Sequence, residues 1–152
     1  MTLKKTLFSV IAAAVIVSSA GFAAASEDDI TYRKSVMKAV GGHMKAIALI
    51  VKGQAGDMKD IASHATAMAG LAKATSTAFP EGSGPMDGKT EVLMAVWEKP
   101  DEFKQVTMAF IAEAEKLAEA AKSGDKGAIG AQLGALGKNG CKACHDNFRE
   151  KN

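Results

Sequence analysis

Five residues near the C-terminus, Cys141-Lys142-Ala143-Cys144-His145, constrain this chain more than any other stretch. Two cysteines three positions apart, with a histidine directly after the second, have the spacing of a c-type haem attachment site. On a helix Cys141 and Cys144 lie one above the other, so their sulfurs can bond the two vinyl groups along one haem edge. His145 stands one turn beyond Cys141 and can bring a ring nitrogen under the iron as proximal ligand. Two other chemistries use the same residue types. A thioredoxin-like redox pair usually opens a helix after a strand, and no strand-like run precedes this motif. A zinc site needs a fourth ligand, which no second Cys/His cluster supplies. The chain has two cysteines, and both fall in the motif.

Residues 1–25 read as a cleaved secretory signal peptide. Lys4 and Lys5 form the charged start, residues 7–17 the apolar run, and Ala23, Ala24 and Ala25 the small residues of a cleavage site. The alternative is an uncleaved anchor, but the apolar run falls short of the ~20 residues of a comfortable membrane span. No later segment approaches that length. The expected product is one soluble domain, residues 26–152, without stable membrane insertion. An exported chain of bacterial type with attached haem belongs in the periplasm. Cleavage lowers the 19 Lys and Arg to 17 by removing Lys4 and Lys5, against 17 Asp and Glu. A formally neutral chain has no basic field with which to hold nucleic acid.

The rest of the chain reads as four helices. Ile30, Met37, Met44 and Val51 recur every seven residues, interleaved with Arg33, Val40 and Ile47, which is the core seam of a bundle helix. Gly53 ends it. Asp57 is an N-cap for a second helix with Met58, Ile61, Ala65, Met68 and Ala72 on its apolar face. Residues 79–89, with Pro80, Pro85 and three glycines, form a loop. Residues 90–98 suit a short helical turn carrying Trp97, with Thr90 as candidate cap. Pro100 fits the first turn of a third helix, with Phe103, Val106, Phe110, Ala114, Leu117 and Ala121 on one face and Gly124 closing it. The fourth starts near Asp125, packs through Ile129, Leu133 and Leu136, and carries the haem motif to its end. Gly127, Gly130, Gly134 and Gly137 form a 3-4-3 stripe along it. Either the stripe lets the backbone approach another surface, or this region is partly irregular. Four amphipathic segments with short connections and no strand pattern give an all-α, antiparallel up-down-up-down bundle with one haem c near the C-terminus.

In such a bundle the first and fourth helices are neighbours, so a second axial ligand belongs on the first. Met37 sits on its seam, and a thioether there can close the sixth coordination site; the plainer reading is core packing. Arg33, four residues earlier, is the one charge on the seam. A haem propionate would be its anionic partner unless the side chain reaches solvent at the end of the bundle. Gly41, one turn after Met37, leaves room for the macrocycle or, with Gly42, simply weakens the helix. Phe148 is expected against the porphyrin or the core, and Lys142 at the haem rim. His43 is about 240° around the helix from Met37 and reads as a surface residue. His64 borders the seam of the second helix and reads as an edge histidine or an alternative ligand.

Tyr32-Arg33 ahead of position 37, the Pro/Gly loop before the third helix and Cys141-Lys142-Ala143-Cys144-His145 followed by Phe148-Arg149 together resemble the class II cytochromes c, the cytochrome c prime family. The resemblance spans the mature chain. Five-coordinate, high-spin members of that family carry a non-ligating residue, often leucine, where Met37 stands. Met37-Lys38 followed by Gly41 and Met44 is instead similar to the low-spin, methionine-ligated branch called cytochrome c-556. The resemblance implies Met37 as distal and His145 as proximal ligand. It also implies a basic residue, Arg149, beside that histidine.

With both axial sites filled, one-electron transfer is the expected role, without enzymatic chemistry, through transient contacts with redox partner proteins at the exposed haem edge. If Met37 only packs over the iron, the protein is a five-coordinate binder of NO or CO. A peroxidase-like activity lacks the acid/base histidine it needs beside the distal position. High-spin relatives are often dimers through their first two helices and low-spin ones commonly monomers, so a monomer is favoured over a homodimer.

Overall fold

The computed structural model describes residues 27–151. The signal-peptide reading of residues 1–25 lies outside them. Helix α1, Glu27–Val51, opens with Glu27, Asp28 and Asp29, whose charges suit the positive end of its dipole. It ends where Gly53 takes φ 69°, in the left-handed region. Asp57 then caps a 3-10 turn, Met58–Asp60, by accepting from the Lys59 amide at 3.0 Å, and α2 follows as Ile61–Thr75. After the Pro/Gly loop come α3, Ala95–Glu98, and α4, Pro100–Lys122, with Pro100 at its first position. Gly124, at φ 68°, turns the chain, and Asp125 caps α5, Lys126–Ala135, through the Ala128 amide at 2.6 Å.

The chain continues without a break into a π-helical stretch, Leu136–Lys142, and then α6, Ala143–Phe148. Helix α1 packs on α2 and α5, α2 on α4, and α4 on α5, the π segment and α6, which closes a four-membered ring. Ile47, Ile61, Ala65, Met68, Ala114, Leu117, Ile129 and Leu136 fill its centre, each nearly devoid of exposure.

The heptad seam read for α1 is only partly the buried one. Ile30, Arg33, Val40 and Ile47 are buried as expected, and Val36 and Ile50 join them, whereas Met37, Met44 and Val51 are half-buried. The reason is that α1 serves two surfaces: one stripe packs on α2, and Met37 and Met44 face a cavity. Met58 is exposed on its 3-10 turn. Thr90 caps no helix; its hydroxyl accepts from the Val92 amide at 3.3 Å. Segment 91–93 instead forms an isolated antiparallel bridge with the end of the chain. Leu93 N–H donates to Phe148 O at 3.1 Å and Glu150 N–H to Glu91 O at 2.8 Å.

The fourth bundle helix departs from a regular α-helix just ahead of the cysteines. A π turn takes in an extra residue, so the positions beyond it are rotated by about 100° from where an α-helix would have put them. Three glycines of the stripe, Gly127, Gly130 and Gly134, precede that turn on α5, and Gly137 lies at its start. A Cβ on Gly130 would lie 3.3 Å from Val51 and one on Gly137 3.4 Å from Met44, so these two admit α1; one on Gly134 meets nothing within 4 Å. A Cβ on Gly140 would lie 3.1 Å from the Phe110 ring and 3.2 Å from its Cα, because here the π segment presses on α4. Gly140→Ala is expected to lower stability by about 1–3 kcal/mol through overpacking. Gly134→Ala, exposed and unobstructed, should raise it by up to ~1 kcal/mol. Denaturant midpoints of the two variants measure both; equal shifts would deny the close approach at Gly140.

Glu113 on α4 is buried, and ties that helix to α5. Its carboxylate accepts from Gln132 Nε2 at 2.7 Å and from Lys116 Nζ at 2.8 Å. The Lys116 and Gln132 hydrogen bonds hold its pKa below the usual 4.5. A depressed carboxylate stabilises the fold above its unfolded pKa, and the contribution fades as pH falls through the folded value. Glu113→Gln should therefore cost on the order of 1 kcal/mol at neutral pH. The gap between wild type and variant should close on acidification below about pH 4. Thermal melts across that range check it; a gap independent of pH would contradict it.

Candidate haem site

A cavity of about 560 Å³ opens between α1, α4, the 90–92 segment and the C-terminal helix. Met37, Gly41 and Met44 line it from α1, Phe103, Thr107 and Phe110 from α4, and Cys141, Cys144, His145 and Phe148 from the motif and its sequel. Arg33 and Arg149 reach it as well. The two cysteines, both expected axial ligands and the expected haem contacts Arg33, Gly41, Phe148 and Arg149 thus line one cavity; Lys142, expected at its rim, is not among the lining residues. Neither are His43 and His64.

The walls are built from local features already described. The rotation introduced by the π turn governs how Cys141 and Cys144 are presented. Phe79, Phe103 and Phe148 stack edge to face, with ring centroids 4.8 and 5.2 Å apart, and make an aromatic wall that links the loop, α4 and α6. Phe148, 4% exposed, belongs both to this wall and to the core.

Arg33 is where the structure departs most from the sequence reading. It does not reach solvent: it is 2% exposed. Its hydrogen bonds go to neutral oxygens, while the negative charge of Asp29 favours the cation from nearby. Nη1 donates to Ala78 O at 3.2 Å and Ser83 Oγ at 2.7 Å, and Nη2 to Ser83 O at 2.6 Å and Thr90 Oγ1 at 3.2 Å. The guanidinium also lies 5.0 Å from the centroid of Phe79, a cation–π contact. Neutral oxygens satisfy it because the 78–90 loop wraps round its fork, an arrangement that helix periodicity could not have indicated. Arg149 donates through Nε and Nη2 to Glu91, which fastens the chain end to the 91–93 segment. Lys142 pairs with Asp146 one turn on.

The chemistry of the motif follows from its surroundings. Burial pushes the Cys141 thiol pKa up, and burial together with Cys141 pushes that of Cys144 to about 11. Reactive dithiols and zinc-binding cysteines need the opposite shift, toward thiolate. Burial, and then the charge of Arg149, lower the pKa of His145, so its imidazole stays neutral with a lone pair available to a metal.

The donor set and the space fit a haem. The cavity falls within the ~300–1,000 Å³ range of cofactor sites and is walled by apolar side chains. A Cβ added to Gly41 on its edge meets no atom within 4 Å. Thr107 Oγ1 is buried beside it with no hydrogen-bond partner.

The family model described as "Cytochrome C'" matches residues 28–149. The chain belongs to the cytochrome c' family. It is similar to cytochrome c' of Pararhodospirillum photometricum, 44% identical over 127 residues, which cover 84% of this chain and 100% of that one. It also resembles cytochrome c-556 of Agrobacterium tumefaciens, 33% identical over 81% of this chain and 98% of the relative. Among solved structures it matches a ferrous variant of cytochrome c prime from Alcaligenes xylosoxidans with bound NO. The TM-score is 0.74 at 31% identity, covering 83% of this chain and 96% of that one. The fold is accordingly the cytochrome c' four-helix bundle, and the cofactor is a covalently attached haem c. Two thioether bonds need two cysteines, and Cys141 and Cys144 are the two the chain has.

Sequence reasoning missed three contributors: Phe79 in the aromatic wall, Thr107 at the cavity and Glu91 as partner of Arg149. Thr107 had a legible signal, since it lies four residues after Phe103 and three before Phe110 on the apolar face of α4. Phe79 and Glu91 sit in segments without periodicity and gave none.

Proposed function

We propose that this cytochrome carries single electrons, with Met37 and His145 as the axial ligands of its haem iron. What supports the reading is that Met37 on α1 and His145 on α6 line one apolar cavity together with both cysteines. The haem supplies the one-electron couple. His145 contributes a neutral imidazole, and Met37 a soft thioether that favours reduced iron and raises the potential relative to a second histidine. The packed ring of helices holds both ligands in place in either redox state, so little rearranges on electron transfer. Arg33 and Arg149 bring positive charge to the cavity, where propionates are the natural acids. Gly41 gives clearance for the macrocycle, and Phe148 forms part of its wall.

Electrons would pass at the haem edge near Lys142, in brief encounters with a partner redox protein. Among the described residues no helix is long and apolar enough to cross a membrane. Residues 1–25 would direct the 26–152 domain to the periplasm, where it would work as a monomer.

A second reading is favoured by a specific observation: a similar protein has been solved with NO bound. In that reading Met37 covers the iron without ligating it, and the distal side takes up NO or CO. Adding CO to the reduced protein separates the two. An absorption spectrum indifferent to CO supports the carrier, and one that shifts at low CO overturns it in favour of gas binding.

A further inference from the structure

The first two helices carry a histidine pair that the haem site does not use. His43 on α1 and His64 on α2 lie with their Nδ1 atoms 2.9 Å apart and their ring centroids 5.2 Å apart, inclined at 60°. Both rings are half-buried, and neither lines the haem cavity. Between two neutral imidazoles such a contact has one nitrogen donating and the other offering its lone pair. Imidazole nitrogens are also the commonest protein ligands of late first-row metals.

The spacing is informative. Two nitrogens about 2.0–2.1 Å from one metal are about 2.9 Å apart when they subtend a right angle, and about 3.3 Å apart at the tetrahedral angle. The observed 2.9 Å is the length of a direct N–H···N hydrogen bond and equals the right-angle value, so a right-angle chelate fits without parting the rings. Cis nitrogens at right angles are the ligand pattern of tetragonal Cu(II) and Ni(II) rather than of tetrahedral zinc.

We propose that His43 and His64 form a bidentate site for a tetragonal divalent metal, Cu(II) foremost, which bridges α1 and α2 and takes its remaining ligands from water. Binding needs modest change. The donor ring moves its proton from Nδ1 to Nε2 through solvent, both Nδ1 lone pairs turn toward the ion, and no net proton leaves a neutral pair. Because the two rings meet only when α1 and α2 are packed, the metal binds the folded chain in preference to the unfolded one and stabilises it by mass action.

The test uses the ferric holoprotein with its haem attached. Of the chain's three histidines, His145 belongs to the haem site, which leaves His43 and His64 as the other two. Titration with Cu(II) should show one ion per chain, and its electron paramagnetic resonance should carry hyperfine splitting from two nitrogens. Even outer-shell partners of metal ligands cost about 10–100-fold in affinity. His43→Gln and His64→Gln should each weaken binding at least that much, and the double variant should abolish it. Ni(II), which does not exchange electrons with the haem, should raise the melting temperature of the wild type by several degrees and leave that of the double variant unchanged. Binding or thermal shifts retained in the double variant would overturn the proposal. A Cu(II) spectrum with fewer than two coordinated nitrogens in the wild type would also overturn it, even if the variants fail to fold.

Discussion

Met37→Ala is expected to turn a low-spin protein indifferent to CO into a high-spin one that binds CO when reduced. Met37 lines the cavity from α1, half-buried, with Gly41 one turn along it. Removing its side chain takes away the one thioether that α1 offers within a turn of that position; Lys34 and Lys38 also line the cavity there, with Lys34 Nζ held by Lys89 O at 2.6 Å. Met44, two turns along, also lines the cavity. Its methyl carbon lies 3.4 Å from where a Cβ on Gly137 would stand, beside the π segment rather than beside Met37. The reduction potential should fall at the same time, because a thioether that favours reduced iron has been lost. A drop on the order of 0.1 V lies well within the ~0.8 V that axial ligands command. The bundle should remain folded, since Met37 is not among the residues that fill its centre. Absorption spectra with and without CO, and a redox titration, read out both effects. A variant with the spectrum and potential of the wild type would mean that Met37 is only a wall of the cavity.

The second large effect is expected at Arg33. Its guanidinium holds two carbonyls and two hydroxyls of the 78–90 loop from inside the bundle. Arg33→Met keeps much of the side-chain volume but leaves the Ala78 and Ser83 carbonyls without these donors, in places from which water is largely excluded. Orphaned buried groups cost about 1–3 kcal/mol each, so with two carbonyls left bare a loss of about 3 kcal/mol is expected. Arg33→Lys keeps the charge but loses the fork, and should recover only part of that. Denaturant midpoints give the magnitude. Hydrogen exchange at the Ser83, Asp87 and Val92 amides shows whether the loop loosens, as it must if Arg33 is its anchor. A loss below ~1 kcal/mol with unchanged exchange would contradict that role.

These residues also show what could and could not be read from the chain. Asp57 and Asp125 announce their helices because capping is a local matter of one side chain and the next two or three amides. The motif at 141–145 announces a haem because attachment needs those residue types at that spacing. The four bundle helices follow from apolar periodicity. The π turn was not legible, because one inserted residue inside a glycine-rich run leaves no periodic trace; the run itself was the only sign that α-helical order is weak there. The partners of Arg33 were hidden because the 78–90 loop has no periodicity to place it. The burial of Arg33 was legible; the neutral oxygens of the 78–90 loop that accept its hydrogen bonds were not. His43 looked like a surface residue on its own helix. Only the register of α1 against α2 brings it to His64.

The central claim is that Met37 and His145 hold the iron together, and proton NMR of the reduced holoprotein tests it most directly. With both ligands bound, ferrous haem is low-spin and diamagnetic, and the ring current of the macrocycle moves the methyl group of a ligating methionine far upfield of every other protein methyl. The account predicts one such resonance, absent from Met37→Ala. A spectrum broadened by paramagnetic ferrous iron, with no upfield methyl, would contradict it and leave Met37 as a cover over an open distal site.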